Sequence, residues 1–319
     1  MSRVAVLKGG SSFERQVSLR SGGRVEDALE RLGHEPLPVD VGPDLIERLR
    51  AAAPDAAFVA MHGRDGEDGT VQELLEILGI PYTGSRVLAC SRTINKVFTK
   101  LLLGENGLPT PDFVSFSETA FERLGAGATL PAIEERLEFP IVVKPATGGS
   151  ALGIKFASSP GDVPQALVNA FSYDDRVVLE RYVAGRDLAC SIVDGEALPV
   201  VEAVPVEEDF YDFEARYEIG RTRFVCPAAL GDEATARAQA IALDAYRLLG
   251  LEGFGRVDLM LEEATGELFV LEANAIPGLT ETSLLPQAAE AAGIDFDRLV
   301  ARILELAFER GAVAPATAR

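Results

Sequence analysis

Apolar positions in the first third of the chain follow two rhythms. RVAVL (3 to 7), PLPVDV (36 to 41) and AAFVAM (56 to 61) are short apolar runs of strand length. Between them apolar residues recur at helical spacing: a helix over 15 to 32 sets Val25, Ala28, Leu29 and Leu32 on one face, and another is expected near 70 to 79. This alternation predicts an open α/β sheet with crossover helices, binding ligands at the carboxyl ends of its strands. At those ends stand KGGSSFER (8 to 15) and HGRDGEDGT (62 to 70), both rich in glycine and polar groups.

Beyond residue 90 the pattern changes. SRTINKVFTKLLLGENG (91 to 107) reads as a helix leaving the first unit, and LPTPDF, with two prolines, marks a join. FERLGAGATLPAIEE (121 to 135) has weak periodicity and reads as a helix edge plus loop. Strands are expected at PIVVK (140 to 144), near 154 to 156 and at RVVLERYV (176 to 183), with a helix near 162 to 172. From DLACSIVDG (187 to 195) several strands run close together, followed by a helix over 232 to 249, a strand pair over 254 to 272, two terminal helices and a tail, GAVAPATAR.

Length and charge narrow the picture. A chain of 319 residues is expected to form two or three domains. Fifty acidic against thirty basic residues give a net charge of -20, which disfavours non-specific nucleic-acid binding while allowing local cationic pockets. Cys90, Cys190 and Cys226 are far apart and lack CxxC spacing, so they read as small apolar residues. The opening MSRVAVLKGG reads as a strand, with no charged-then-apolar export segment, and no apolar run reaches about 18 residues. A cytoplasmic location and no membrane association are expected.

Two stretches carry chemistry. In VVKPATGGSALGIK (142 to 155) an apolar strand delivers Lys144, and Gly148, Gly149 and Gly153 let backbone N–H groups approach a ligand. A cation beside such donors suits phosphate, although a glycine-rich hairpin alone is more often only a turn. In GRVDLML (255 to 261) and LFVLEAN (268 to 274), joined by EEATGE, an antiparallel pair can bring Asp258, Glu272 and Asn274 together. By strand alternation Val270, Glu272 and Asn274 share a face opposite Phe269, Leu271 and Ala273. Three hard oxygen donors suit Mg²⁺, which completes its shell with water and phosphate oxygens; without a cation the two carboxylates would repel.

These motifs, with LKGGSSFERQVSLRSG, HGRDGEDGTVQELLEILGIPYTGS and FYDFEARY, occur in the order and spacing of the D-alanine:D-alanine ligases, and the chain resembles that family from Val4 to about residue 307. The resemblance implies an α/β protein of ATP-grasp fold with an N-terminal Rossmann-like (pre-ATP-grasp) domain. Its divisions would be a substrate-binding domain over 1–93, a central ATP-grasp subdomain over 94–184, and a C-terminal subdomain with the metal and second-substrate site over 185–319. It further implies a cytoplasmic homodimer that joins two D-alanine molecules with ATP, through an acyl phosphate, for peptidoglycan precursors.

Residue by residue, the resemblance gives Lys96 and Lys144 to the ATP phosphates, Glu180 and Arg181 to the adenine and Asp187 to the ribose. Arg216 would lie by the transferred phosphoryl group. Asp258, Glu272 and Asn274 match ligands of two Mg²⁺ or Mn²⁺ ions. Glu14 matches the carboxylate that holds the first substrate's ammonium, although Ser11-x-x-Glu14 is also a capping box for the first helix. His62 would hydrogen-bond the substrate carboxylate, or else be a solvated loop residue; His34 reads as a surface residue. Ser150 and Tyr217 would join Glu14 in closing a loop over the substrates, Arg256 would stabilise the oxyanion, and Gly278, Ser283 and Leu284 would grip the second carboxylate, Ser283 reading equally as an N-cap. Ala151, Arg181, Arg216 and Asn95 depart from the usual serine, lysine, lysine and aspartate, and Asp187 from a longer glutamate. Alternatives are an acceptor such as D-lactate, D-serine or another small amino acid, a nucleotide binder without catalysis, and a dinucleotide oxidoreductase, the last disfavoured because KGGSSFER lacks the third fingerprint glycine.

Overall fold

In the computed structural model, residues 1–149, 151–205 and 222–312 are described. Ser150, Arg216 and Tyr217, the rest of 206–221 and the tail beyond residue 312 lie outside the described residues. Among the described residues the strands form three sheets.

The first sheet is parallel, in order β2-β1-β3, from β1 (Arg3–Lys8), β2 (Glu35–Asp40) and β3 (Ala56–Val59). Val4 to Leu7 and Ala56 to Val59 are fully buried, which is why these strands read as continuous apolar runs and do not alternate. Pro36 and Pro38 fit β2 because an edge strand need not donate on its outer side. Helix α1 (Arg15–Arg31) covers the sheet with Val25, Ala28 and Leu29; Leu32 is a correction, because the helix ends before it and leaves it 36% exposed. Helix α2 (Leu45–Ala52) makes the second crossover, and α3 (Thr70–Leu78) follows β3.

The expected helix over 91 to 107 is two. α4 (Val87–Ile94) stops and α5 (Lys96–Glu105) starts at Asn95, whose extended backbone breaks the rod and whose side-chain oxygen accepts from the N–H groups of Val97 and Phe98. The second sheet, antiparallel in order β4-β7-β5-β6, comprises β4 (Phe113–Ser117), β5 (Ile141–Pro145), β6 (Lys155–Ala157) and β7 (Arg176–Arg181). The weakly periodic stretch after β4 contains helices α6 (Glu118–Arg123) and α7 (Leu130–Leu137), and α8 (Val163–Phe171) lies between β6 and β7.

The third sheet runs β11-β10-β8-β12-β13, with β9 beside β8. Its strands are β8 (Gly185–Val193), β9 (Glu196–Ala197), β10 (Val201–Pro205), β11 (Thr222–Val225), β12 (Phe254–Glu262) and β13 (Leu268–Asn274). Helix α9 (Asp232–Leu249) backs it, and α10 (Leu284–Ala291) and α11 (Phe296–Arg310) follow β13. Buried apolar residues form two clusters, one continuous through the first and third sheets and one confined to the second sheet with α7 and α8. Among the described residues no helix is long and apolar enough to cross a membrane.

Candidate active site

A single cleft gathers residues from all three sheets: Glu14 and His62 from the first, Lys144 and Glu180 from the second, and Asp187, Arg256, Asp258, Glu272 and Asn274 from the third. Its floor is the hairpin β12–β13, in which Asp258 pairs with Glu272 and Arg256 with Asn274. The register slips between Asp258 and Leu259, and this bulge changes the phase of β13. Val270 lies in the core, while Leu271 lines the cleft together with Glu272 and Asn274. The face expected from strict alternation is thus corrected: one extra residue turns two successive side chains to the same side.

Charge in this floor is dense and mostly paired. Arg256 grips Asp258 with Nε at 2.6 Å and Nη2 at 2.8 Å. Burial raises the Asp258 pKa, against the pull of Arg256, and the neighbouring Glu272 carboxylate adds to the rise. Burial also opposes ionisation of Glu272, but Lys96, Lys144 and Arg256 outweigh it and hold that carboxyl below its ordinary range. Lys96 Nζ stands 3.2 Å from Glu272 and donates to the Gly148 carbonyl at 2.6 Å, so it joins the hairpin floor to the glycine loop. Asn274 Oδ1 accepts from the Ile276 N–H. Among the described residues no three carboxylate, imidazole or thiol groups gather as a metal cage. Two carboxylates and an amide on one face nevertheless fit a hard divalent ion that keeps water and phosphate oxygens in its shell.

The wall opposite contains a buried carboxylate between two lysines. Glu180 meets Lys144 at 2.5 Å and Lys100 at 2.8 Å, and the two cations hold its pKa down although burial alone would raise it. Lys100, fully buried, also donates to Thr110 Oγ1, and burial pushes its pKa down to about 8. Nothing in the local pattern of the sequence marks Lys100, because its burial comes from the packing of α5 against the approach to β4. Arg181 also lines the cleft, paired with Glu262 at 2.7 Å and lying over the Phe269 ring. Asp187 lines the cleft from β8, opposite Met260 of β12.

At the mouth, Glu14 occupies the position before α1 without capping it, since Ser11 Oγ instead donates to Asp65 and Ser12 Oγ to the His62 carbonyl. The capping box that the local pattern also allowed is not formed. The Glu14 carboxylate lies so close to Gly63 and Gly149 that a Cβ on Gly63 would stand 2.4 Å from its Oε2. His62 is buried, not solvated: its Nε2 meets Ser21 Oγ at 2.9 Å and its Nδ1 meets the Ile276 carbonyl at 3.1 Å. Glu67, another residue that the sequence pattern did not single out, lies 3.5 Å from that Nδ1, and burial raises its pKa. Ser283 precedes α10 but its Oγ turns back to Thr280, accepting its N–H at 3.0 Å, so it is not a side-chain cap. A Cβ on Gly278 would stand 2.6 Å from that Oγ, so a larger residue there would displace the Ser283 hydroxyl. Gly278, Ser283 and Leu284 all line the cleft. His34 is half-buried behind α1 and takes no part in it.

Cations near hard oxygen donors, glycine-lined approaches and a separate carboxylate at the mouth can bind a polyphosphate and a zwitterion side by side. Comparison with known proteins agrees. The family descriptions "D-ala D-ala ligase N-terminus" and "D-ala D-ala ligase C-terminus" match residues 42–85 and 102–305. The D-alanine–D-alanine ligase of Geobacter sulfurreducens is 44% identical over 304 residues, covering 95% of this chain and 93% of that one. The crystal structure of the D-alanine–D-alanine ligase from Bacillus anthracis superposes with a TM-score of 0.86 at 34% identity over 97% of this chain and 98% of that one. The same enzyme complexed with ATP gives 0.83 at 32% identity with the same coverage.

Proposed function

Because the chain belongs to the D-alanine–D-alanine ligase family, we propose that its cleft joins two molecules of D-alanine with the conversion of ATP to ADP and phosphate. The product, D-alanyl-D-alanine, supplies peptidoglycan precursors, and the family reading carries with it a cytoplasmic homodimer. The observation that supports this reading best is the floor of the cleft, where Asp258, Glu272 and Asn274 share one face within reach of Lys96.

In this reading the carboxylate of the first D-alanine attacks the γ-phosphorus of ATP and ADP leaves. The amine of the second D-alanine then attacks the acyl phosphate, phosphate departs and a proton is released. Lys96 and Lys144 bind the phosphates, Glu180 and Arg181 border the adenine, and Asp187 meets the ribose. Glu14 anchors the first ammonium. Arg256 uses Nε and Nη2 to hold Asp258, which leaves Nη1 to donate to the developing oxyanion. Gly278, Ser283 and Leu284 hold the second carboxylate. Ser150, Arg216 and Tyr217 keep the roles implied by the resemblance. Two Mg²⁺ or Mn²⁺ ions held by Asp258, Glu272 and Asn274 would neutralise charge on the transferring phosphoryl group.

The test is phosphate release with D-alanine as the sole amino acid, with the product identified by mass spectrometry. We expect D-alanyl-D-alanine, loss of turnover in excess EDTA, and a fall to a small residue of activity in Glu272→Gln. Supplying equimolar D-lactate or D-serine should leave the D-alanine dipeptide as the main product. Predominance of the ester or of the mixed dipeptide would overturn the assignment of the acceptor, and full turnover in EDTA that of the metal ligands.

A further inference from the structure

Helix α1 crosses beneath the cleft, and two of its side chains reach the segment that follows β13. Ser21, fully buried, has its hydroxyl between His62 Nε2 (2.9 Å) and the Leu279 N–H, which donates to it at 3.1 Å. One helical turn on, Arg24 donates to the Leu279 carbonyl at 2.6 Å. Both backbone groups of Leu279 are thus held by α1, and the same hydroxyl reaches the imidazole.

The hydrogen-bonding chemistry allows one neutral arrangement. His62 Nδ1 faces the Ile276 carbonyl, an acceptor only, at 3.1 Å, with a Glu67 carboxyl oxygen at 3.5 Å. Its proton therefore sits on Nδ1. Ser21 Oγ already accepts from Leu279, so its own hydrogen points to Nε2, the acceptor nitrogen of that tautomer. The chain of bonds runs from Ile276 through His62 and Ser21 to Leu279, closing a loop between the end of β3 and the residues that lead into Ser283.

We propose that Ser21 is a positioning residue that locks His62 as the Nδ1–H tautomer and ties it to the segment 276–279, so that the two amino-acid subsites are set together. His62 then has no ring N–H to give a substrate carboxylate; it acts by shape and by bracing the segment beside Gly278. This rests on the proposed ligase reading for the identity of the subsites, but the tautomer does not.

The chain has only two histidines, so full-length protein labelled with ¹⁵N-histidine gives a spectrum that His34→Gln assigns directly. We expect His62 to show a protonated Nδ1 and an unprotonated, hydrogen-bonded Nε2, and Ser21→Ala to shift the Nε2 resonance. In steady-state assays Ser21→Ala should raise the apparent KM for D-alanine about tenfold, the loss of roughly one hydrogen bond, with KM for ATP and kcat within about twofold. A protonated Nε2 in the unaltered protein overturns the proposal even if the variant does not fold, and so does an unchanged KM for D-alanine or an equal loss toward ATP. Absence of D-alanine-dependent turnover in the unaltered enzyme would instead refute the ligase reading, leaving the spectrum to decide the tautomer.

Discussion

Arg256 presents a planar fork to Asp258, and both are deeply placed in the cleft. A lysine would keep the charge but could not hold Asp258 through two parallel bonds while donating elsewhere. Under the proposed role, Arg256→Lys should lower kcat/KM by about 10² to 10³ with a much smaller change in melting temperature; activity within a few-fold of the parent would remove Arg256 from that role. The cysteines make a second case at this scale. Burial raises the thiol pKa of Cys90 and of Cys190 to about 12, and also raises that of the less buried Cys226. A raised pKa keeps the thiol protonated as pH increases, so at pH 8 only about one part in 10⁴ of either deep thiol is the reactive thiolate. Iodoacetamide at pH 8 should therefore label Cys226 first and the other two only after unfolding. Mass spectrometry showing rapid labelling of Cys90 or Cys190 in the native protein would count against this.

Within the elements, backbone contact decides which glycines can change. Gly185 opens β8, where a Cβ would stand 2.0 Å from the Leu261 carbonyl oxygen of β12. Gly185→Ala must pry that pairing apart and should destabilise by about 3 kcal/mol. Gly79, after α3, has φ +66° and nothing within 4 Å of an added Cβ. There the alanine meets only the left-handed backbone cost, partly offset by a stiffer unfolded chain, about 1 kcal/mol in all. Urea unfolding midpoints should rank the two in that order, and the reverse order would defeat the argument. The same elements show what a sequence can disclose. The helix Asp232–Leu249 has the bounds expected from its periodicity, since an amphipathic helix records its partner face in its own spacing. The break at Asn95 is hidden because Ile94, Val97, Phe98 and Leu101 keep helical spacing across it, and the bulge in β13 because a slipped register leaves no mark on one strand alone. Lys100 and Glu67 could not be singled out at all: a buried charge looks like an exposed one until the residues around it are in place.

Across the whole molecule the two apolar clusters imply unequal stability. The larger is continuous through the first and third sheets, whereas the second sheet has a core of its own, with Leu137, Ile141, Val143, Val177 and Leu179 at its centre. Polar contacts link the second sheet to the rest: Lys96 to the Gly148 carbonyl, Lys100 to Glu180 and Arg181 to Glu262. A partly exposed pair such as the last contributes at most about 1 kcal/mol. Such links restrain the second sheet less than shared apolar burial would, so it should open on its own at a lower free energy than the first and third sheets. ATP, in the proposed site, lies between Lys144 of β5 and the floor of β12 and β13, and binds only when these are together. At one hundred times its Kd, ligand stabilises the closed arrangement by about 2.7 kcal/mol. Hydrogen exchange with a non-hydrolysable ATP analogue and Mg²⁺ tests this. Without ligand, amides of β5 and β7 should exchange faster than those of β1 and β3; with ligand they should slow by up to about a hundredfold, while β1 changes little. Equal rates in both sheets without ligand, or an equal slowing in both with it, would mean that the chain opens as one cooperative unit and that the separate core of the second sheet has no thermodynamic consequence.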